Sequence, residues 1–265
     1  MRFKSLGSGS TGNATVVQTT GANCSTLLID CGFGLKSLLT KLGQCGLQPE
    51  DLSAIFITHE HGDHVGCVQA LSLKYRIPVW MSAGTANALG FNSTKTSFGA
   101  ATKPDLLHVA TDGQPIDLGR LQVTPFTVPH DASEPLQLSC SDGHSKLGVL
   151  TDLGHATEHV LAQLQNCNAL VLECNHEAHL LAASDYPAFL KQRVAGGYGH
   201  LSNAQAADIA RSLQHSGLRH LVAAHLSQQN NRCEWVATAM AQALSCDTNE
   251  IVIASAGDGC PWLGI

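Results

Sequence analysis

The chain switches between two hydrophobic periods, and it does so twice. After a Gly- and Ser-rich turn at 7–13 (GSGSTGN), the runs ATVVQTT (14–20) and STLLIDCG (25–32) predict strands of an opening meander. Segment 34–46 (GLKSLLTKLGQCG) then repeats its apolar residues at helical spacing and ends in Gly. A short apolar strand at 54–59 (AIFITH), a helix at 63–76, a strand at 78–82 and a short helix at 84–90 follow. From 106 to 153 the pattern returns to strands, at 106–110, 114–118, 121–128, 136–141 and 146–152. The last third alternates again: a helix at 156–167, a buried strand at 168–176 (NALVLECNH), a helix at 202–217, a strand at 218–227, a helix at 233–245 and a strand at 250–257. Ser202 and Gln205 form an S-x-x-Q capping box at the start of the third of these segments. No low-complexity linker or internal repeat divides the chain. The pattern predicts one domain over 1–265, an α/β fold of two sheets packed face to face with helices outside.

Composition agrees with a large packed core. Hydrophobic residues make up 44% of the 265 positions, and only 14% are charged, against ~25% in an average soluble domain. The net charge of -6 gives no overall attraction to a polyanion, so a nucleic-acid substrate would have to be held by a local basic patch or by bound metal. The 10 cysteines contain no C-x-x-C pair and mostly sit in apolar runs, which predicts small buried hydrophobes in a reducing cytosol. No apolar stretch of signal-peptide type follows the N-terminal basic residues, and no apolar run is long enough to span a membrane, so the expectation is a soluble, cytoplasmic protein.

Histidine is the unusual residue, with 14 copies against 15 Lys and Arg together. Thr58-His59-Glu60-His61-Gly62-Asp63-His64 is an H-x-H-x-D-H string placed where a strand ends and a helix begins. In an extended chain residues two apart share a face, so His59 and His61 can point the same way. Asp63 and His64, in the first helical turn, project back toward the same space. Four candidate ligands in six residues can start two metal sites, and imidazole with carboxylate suits Zn, Mn, Fe or Co.

This string and its surroundings resemble the metallo-β-lactamase superfamily, from the first strand to the last. The matching residues are Asp30 in LLIDCG, His130 in TVPHDA, Asp152 in VLTDLG and His225 in AAHLS, in the family's order. The resemblance implies a four-layer αββα sandwich of two mixed β-sheets. It implies that His59, His61 and His130 bind one divalent metal ion, that Asp63, His64 and His225 bind a second, and that Asp152 bridges them. Zn or Mn is the expected metal, with Fe as an alternative. Asp30 is expected to orient a ligand histidine through its other ring nitrogen. Two cations ~3.5–4 Å apart lower the pKa of a shared water, so the implied reaction is hydrolysis by a metal-bridging hydroxide.

Glu173 in LVLECNH and His200 in YGHLSN match the Glu and His of the tRNA-processing ribonuclease branch and related phosphodiesterases. There the pair resembles an acid relay, in which the His protonates the leaving oxygen and the Glu holds the imidazole protonated. Together with Asp63 they are the residues the resemblance places in catalysis. The alternative for His200 is that it merely precedes the Ser202 cap, and for Glu173 that it satisfies a buried backbone group. Asn175 and His176 follow at the same strand end and are candidates for the pocket mouth. Ser8, Ser10 and Asn13 lie in the Gly-rich loop, where free backbone N–H groups could meet a phosphate.

The segment between Asp152 and His225 is too short for the extra domain inserted there in β-CASP nucleases. The strings GSGSTGN, HDASEP, TDLG, ECNH and GHLSN look most like the single-domain YycJ/WalJ-like branch, which departs from this chain in carrying Ser where Cys174 stands. The implied activity is a 5′-to-3′ DNA exonuclease-like phosphodiesterase acting on DNA ends. A small-molecule cyclic phosphodiesterase is the main alternative, and a thioester or lactone hydrolase a further one.

Overall fold

The computed structural model describes residues 1–91 and 106–265. The first sheet contains β1 (Arg2–Gly7), β2 (Ala14–Gln18), β3 (Thr26–Ile29), β4 (Ala54–Phe56), β5 (Val79–Met81) and β6 (Leu107–Val109). The second contains β7 (Ile116–Asp117), β8 (Gln122–Thr127), β9 (Leu136–Ser141), β10 (Lys146–Leu150), β11 (Ala169–Glu173), β12 (His220–Ala224) and β13 (Val252–Ile253). A last strand, β14 (Leu263–Gly264), returns to the first sheet. The orders are β14-β1-β2-β3-β4-β5-β6 and β13-β12-β11-β10-β9-β8-β7.

Each sheet follows one plan, an antiparallel meander that continues into parallel crossover strands. β1 to β3 pair antiparallel and β3 to β6 parallel. β7 to β10 pair antiparallel and β10 to β13 parallel. Parallel strands are covered on both faces, which is why they read as continuous apolar runs rather than as alternation. In β11 all five residues, Ala169 to Glu173, are buried.

Three apolar clusters define the layers. Between the sheets, Phe3, Val17, Leu27, Ile29 and Phe56 meet Val123, Leu138, Val149, Val171 and Val222. The outer face of the first sheet (Val16, Leu28, Ile55) is covered by Leu38 and Leu42 of α1 (Leu35–Gln44) and by Leu71. Between β4 and β6 lie α2 (Gly62–Val65), α3 (Val68–Tyr75, which carries Leu71) and α4 (Ala83–Ala88). The outer face of the second sheet (Leu170, Leu172, Leu221) is covered by α5 (Glu158–Leu164), α8 (Asn203–Leu213) and α9 (Cys233–Leu244). Two short helices, α6 (Ala178–Ala183) and α7 (Ala188–Val194), precede α8. The result is the αββα sandwich of two mixed sheets that the sequence predicts.

Local differences have local causes. The expected helix over 63–76 is split into α2 and α3 at Gly66, whose φ of 24° breaks the helix, and a Cβ there would stand 2.4 Å from the Cys31 carbonyl oxygen. β1 and β14 are absent from the sequence expectations because RFKSLG is half polar and β14, one of its partners, lies at the other end of the chain. The Gly- and Ser-rich 7–13 turn is tied down: Gly9 N–H donates to Asn13 Oδ1 (2.8 Å) and Asn13 N–H to the Asp63 carbonyl (2.8 Å). Ser202 and Gln205 form the expected capping box. All ten cysteines are free, six of them buried. No described helix is long and apolar enough to cross a membrane.

Candidate active site

The ends of β3, β4, β8, β10, β11 and β12 converge on one pocket, the place where open α/β sheets present side chains beyond the carboxyl ends of their strands. Three exit residues turn in the left-handed region: Asp30 (φ 63°), Asp152 (φ 55°) and His225 (φ 55°). Asp and His enter this region more readily than most residues. Such turns cost ~1–3 kcal/mol each and persist only where the surroundings over-determine them. Here they aim three chemistry-bearing side chains into the same space.

The H-x-H-x-D-H string forms the loop from β4 into α2 and lies directly on the exit of β3. Cys31 N–H donates to the His64 carbonyl (2.7 Å), and a Cβ on Gly32 would stand 1.7 Å from the Asp63 carbonyl oxygen, so only glycine fits there. Asp30 is buried, and its carboxylate accepts from Thr58 N–H (2.9 Å), the Thr58 hydroxyl and His64 Nδ1 (2.8 Å). A carboxylate only accepts, so His64 carries a proton on Nδ1 and turns Nε2 toward the pocket. His130 Nδ1 lies 3.1 Å from the Gly199 carbonyl and is fixed in the same sense.

Ring nitrogens meet in the first group. His59 Nε2 is 3.0 Å from His61 Nδ1, and His61 Nδ1 is 3.3 Å from His130 Nε2. Burial, reinforced by His64 and His130, holds His59 well below the usual imidazole pKa. Burial also lowers that of His130. Burial therefore favours the neutral form of both rings.

Carboxylates dominate the second group. Asp63 Oδ2 is 3.5 Å from both His64 Nε2 and His225 Nε2, and Asp152 Oδ2 is 3.3 Å from His64 Nε2. Burial alone would depress His225, but Asp152, Asp63 and Glu173 outweigh it and push its pKa up to about 10. His64 is likewise raised, against burial, by Asp152 and Asp30. Burial would raise Asp63 and Asp152, but the neighbouring histidines hold both carboxyls below their usual range.

The donors fit divalent cations on two observations. Nitrogens each ~2.0–2.1 Å from one tetrahedral ion must lie about 3.3 Å apart, close to the spacing of the three-histidine group. Asp152 Oδ2 is buried and has no hydrogen-bond partner, although two groups of possible metal-holding residues share this carboxylate: His59, His64 and Asp152 on one side, Asp152, Glu173, His200 and His225 on the other.

Glu173, fully buried at the end of β11, joins His200 to the same centre. Its Oε1 lies 2.8 Å from His200 Nδ1 and 3.0 Å from His225 Nδ1, while Oε2 accepts from Leu201 N–H (2.9 Å). Burial would raise the Glu173 carboxyl, but His200 and His225 hold it well below its usual range. Burial would lower His200, and Glu173 overrides it and raises the imidazole pKa. Glu173 therefore both satisfies a backbone N–H and faces His200; the two expectations for it coexist.

The pocket, of about 390 Å³, is lined by Ser10, His61, Gly62, Asp63, Asp131, Asp152, Tyr186, Leu190, Arg193, Val194, Gly199, His200 and His225. Of the loop candidates, Ser10 reaches the pocket. Asn13 is buried and donates from Nδ2 to Asp63 Oδ2 (3.1 Å), so it holds the carboxylate rather than the mouth. Ser8 Oγ accepts the His225 N–H (2.9 Å). Asn175 and His176 do not line the pocket: both are buried, Asn175 Nδ2 donating to the His225 carbonyl (3.0 Å) and His176 bridging to Ser202. Asp131, Tyr186, Leu190, Arg193 and Val194 were not anticipated. Adjacency to His130 was a signal for Asp131, and the α7 residues offered none.

Comparison with known proteins gives a consistent result. Residues 25–226 match the β-lactamase superfamily domain. The chain is 31% identical over 244 residues to the exodeoxyribonuclease YycJ of Bacillus anthracis, covering 92% of this chain and 89% of that one. It is 29% identical over 230 residues to the exodeoxyribonuclease WalJ of Streptococcus pneumoniae, covering 87% and 83%. Among solved structures, the metallo-β-lactamase fold protein YhfI of Bacillus subtilis superposes with a TM-score of 0.72 at 17% identity, over 99% of both chains.

Proposed function

The chain belongs to the β-lactamase superfamily and is a metal-dependent hydrolase of it, and from that premise we propose that it is a phosphodiesterase acting on the ends of DNA, an exonuclease of 5′-to-3′ type. In this reading His59, His61 and His130 hold one divalent ion, Asp63, His64 and His225 hold another, and Asp152 reaches both. Five imidazoles and two carboxylates suit borderline divalent metals, and we assign zinc or manganese, with iron accepted by the same set. Bound cations would supply Lewis acidity, a nucleophilic water near neutral pH and neutralisation of charge on the phosphate.

The observation that carries the phosphodiester reading is the contact between His200 Nδ1 and Glu173 Oε1 at 2.8 Å. An alkoxide is a poor leaving group and needs a proton as the P–O bond breaks. Glu173 keeps the imidazole protonated and turned by Nδ1, so Nε2 is the atom that donates to the leaving oxygen. The His200 side chain is 22% exposed and can recover its proton from solvent. General acid catalysis of this kind contributes ~10²–10⁴-fold. Thioester or lactone hydrolysis would not require this pair. Asp30, Asn13, Ser8 and Asn175 hold His64, Asp63 and His225 in place rather than touching substrate.

The test is a panel: protein loaded with manganese or zinc is given 5′-phosphorylated duplex DNA, an aryl phosphodiester and a thioester, alongside His200→Ala. Cleavage of DNA and of the aryl diester supports the proposal. Cleavage of the aryl diester without any cleavage of DNA would replace it with a small-molecule phosphodiesterase, and thioester turnover unaffected by His200→Ala would remove the phosphodiester reading.

A further inference from the structure

Among the described residues, large apolar side chains are left in water at Leu73, Val109, Phe189, Tyr198 and Trp235. Phe189 and Tyr198, 70% and 66% exposed, belong to the segment that walls one side of the pocket. That segment contains α7, which buries none of its side chains and so has no part in the core. Tyr186, Leu190, Arg193 and Val194 line the pocket from it. Phe189 lies four residues before Arg193 in α7, a spacing that makes neighbours on a helix surface, and directly precedes the lining residue Leu190, so its ring stands beside the pocket wall. The Tyr198 carbonyl accepts the Asp131 N–H (3.0 Å), which fixes that residue at the same mouth.

Arg193 supplies charge at this place in an otherwise acidic chain. Its Nε donates to Asp131 Oδ2, while the side chain stays more than half exposed. Asp131 Oδ1 in turn lies 3.4 Å from His130 Nε2, so the guanidinium is anchored at the rim of the three-histidine group. The segment is also bound to the proposed acid, because His200 N–H donates to the Val194 carbonyl (2.8 Å).

We propose that Phe189, Tyr198 and Arg193 form the strand-binding lip of the enzyme. The two rings stack on bases of a single-stranded nucleic-acid end, and Arg193 bonds a phosphate beside the one that enters the pocket. The inference rests on the phosphodiester reading and adds to it the polymer, since a small cyclic diester would fill the pocket without reaching the exposed rings. A second copy of the chain is the less favoured occupant, because it would cover the pocket mouth and bury Arg193.

The experiment is fluorescence anisotropy with a labelled, 5′-phosphorylated oligothymidine of about ten nucleotides, phosphorothioate-linked to resist cleavage, on the metal-loaded protein. Phe189→Ala and Tyr198→Ala each weaken binding about five- to 150-fold, the worth of one stacked base. Phe189→Trp, which keeps a ring, retains it. Arg193→Gln reduces the slope of log affinity against log salt by about 0.7, and Leu73→Ala, on a helix outside the pocket, changes nothing. Unchanged affinity in the Phe189→Ala/Tyr198→Ala double variant overturns the lip, and leaves the proposed function standing if the wild type still cleaves the 5′-phosphorylated duplex DNA. Aromatic-dependent binding by a wild type that cleaves no phosphodiester supports the lip and removes the proposed activity. A wild-type dimer that the double variant dissociates, seen by size exclusion, overturns the lip in favour of a self-association face.

Discussion

His59 and His61 sit two residues apart in one loop and draw only His130 from elsewhere, whereas the neighbouring group collects Asp63 and His64, Asp152 and His225 from three separate segments. In the first group burial keeps His59 and His130 below the usual imidazole pKa. The second is a buried cluster of carboxylates and imidazoles in which protons stand where a cation would go. The difference teaches that two adjacent groups of donors can be made ready in opposite ways, one by burial that disfavours protons and one by concentrating negative charge.

The most damaging change to this arrangement is expected at Asp152, the residue proposed to reach both ions. Asp152→Ala is expected to lower phosphodiester turnover by more than the ~10²-fold minimum of a lost general acid, with metal content falling below two ions per chain by elemental analysis. Retention of two ions and of activity would show that the groups do not meet at Asp152.

Asp30→Asn acts directly on the carboxylate group, through His64 Nδ1, and reaches His59 only through the Thr58 hydroxyl. Outer partners of this kind are worth ~10–100-fold in metal affinity. A competition titration with a chelating dye should show that loss for one ion and a smaller loss for the other, and equal loss for both would erase the distinction between the groups.

Proton release sharpens the comparison further. With no cation bound, the raised pKa of about 10 leaves His225 protonated at pH 7, so an ion entering there displaces a proton. Affinity for that ion rises as pH increases toward 10 and falls as pH drops. His59 and His130 are already neutral at pH 7 and release none. Calorimetric titration in buffers of different ionisation heat should find the larger proton release with one ion, and equal release with both would contradict the contrast.

A smaller effect falls on stability. Ser8→Ala leaves the buried His225 N–H without its acceptor, which costs ~1–3 kcal/mol. Denaturant unfolding of the metal-free protein should show that loss, and an unchanged midpoint would mean that another group accepts the N–H.

The same contrast explains what was legible in the sequence. The H-x-H-x-D-H string announces itself because its members are contiguous and flanked by a strand and a helix. His130, Asp152, Glu173, His200 and His225 carry no local pattern, since the convergence of strand ends that unites them is a property of topology; only the family resemblance places them beforehand. The left-handed turns at Asp30, Asp152 and His225 leave no trace in composition. Buried parallel strands such as β11 were readable from their apolar runs. By contrast, α7 buries nothing, so it has no amphipathic signal, and Arg193, Tyr186 and Leu190 went unnoticed with it.

The central claim, that His200 protonates the leaving oxygen of a phosphodiester, is tested most directly by changing the leaving group. A nitrophenolate departs without a proton and an alkoxide does not, so His200→Ala in the metal-loaded protein should slow cleavage of a DNA linkage ~10²–10⁴-fold and leave a nitrophenyl diester nearly untouched. An equal loss on both substrates would contradict the claim.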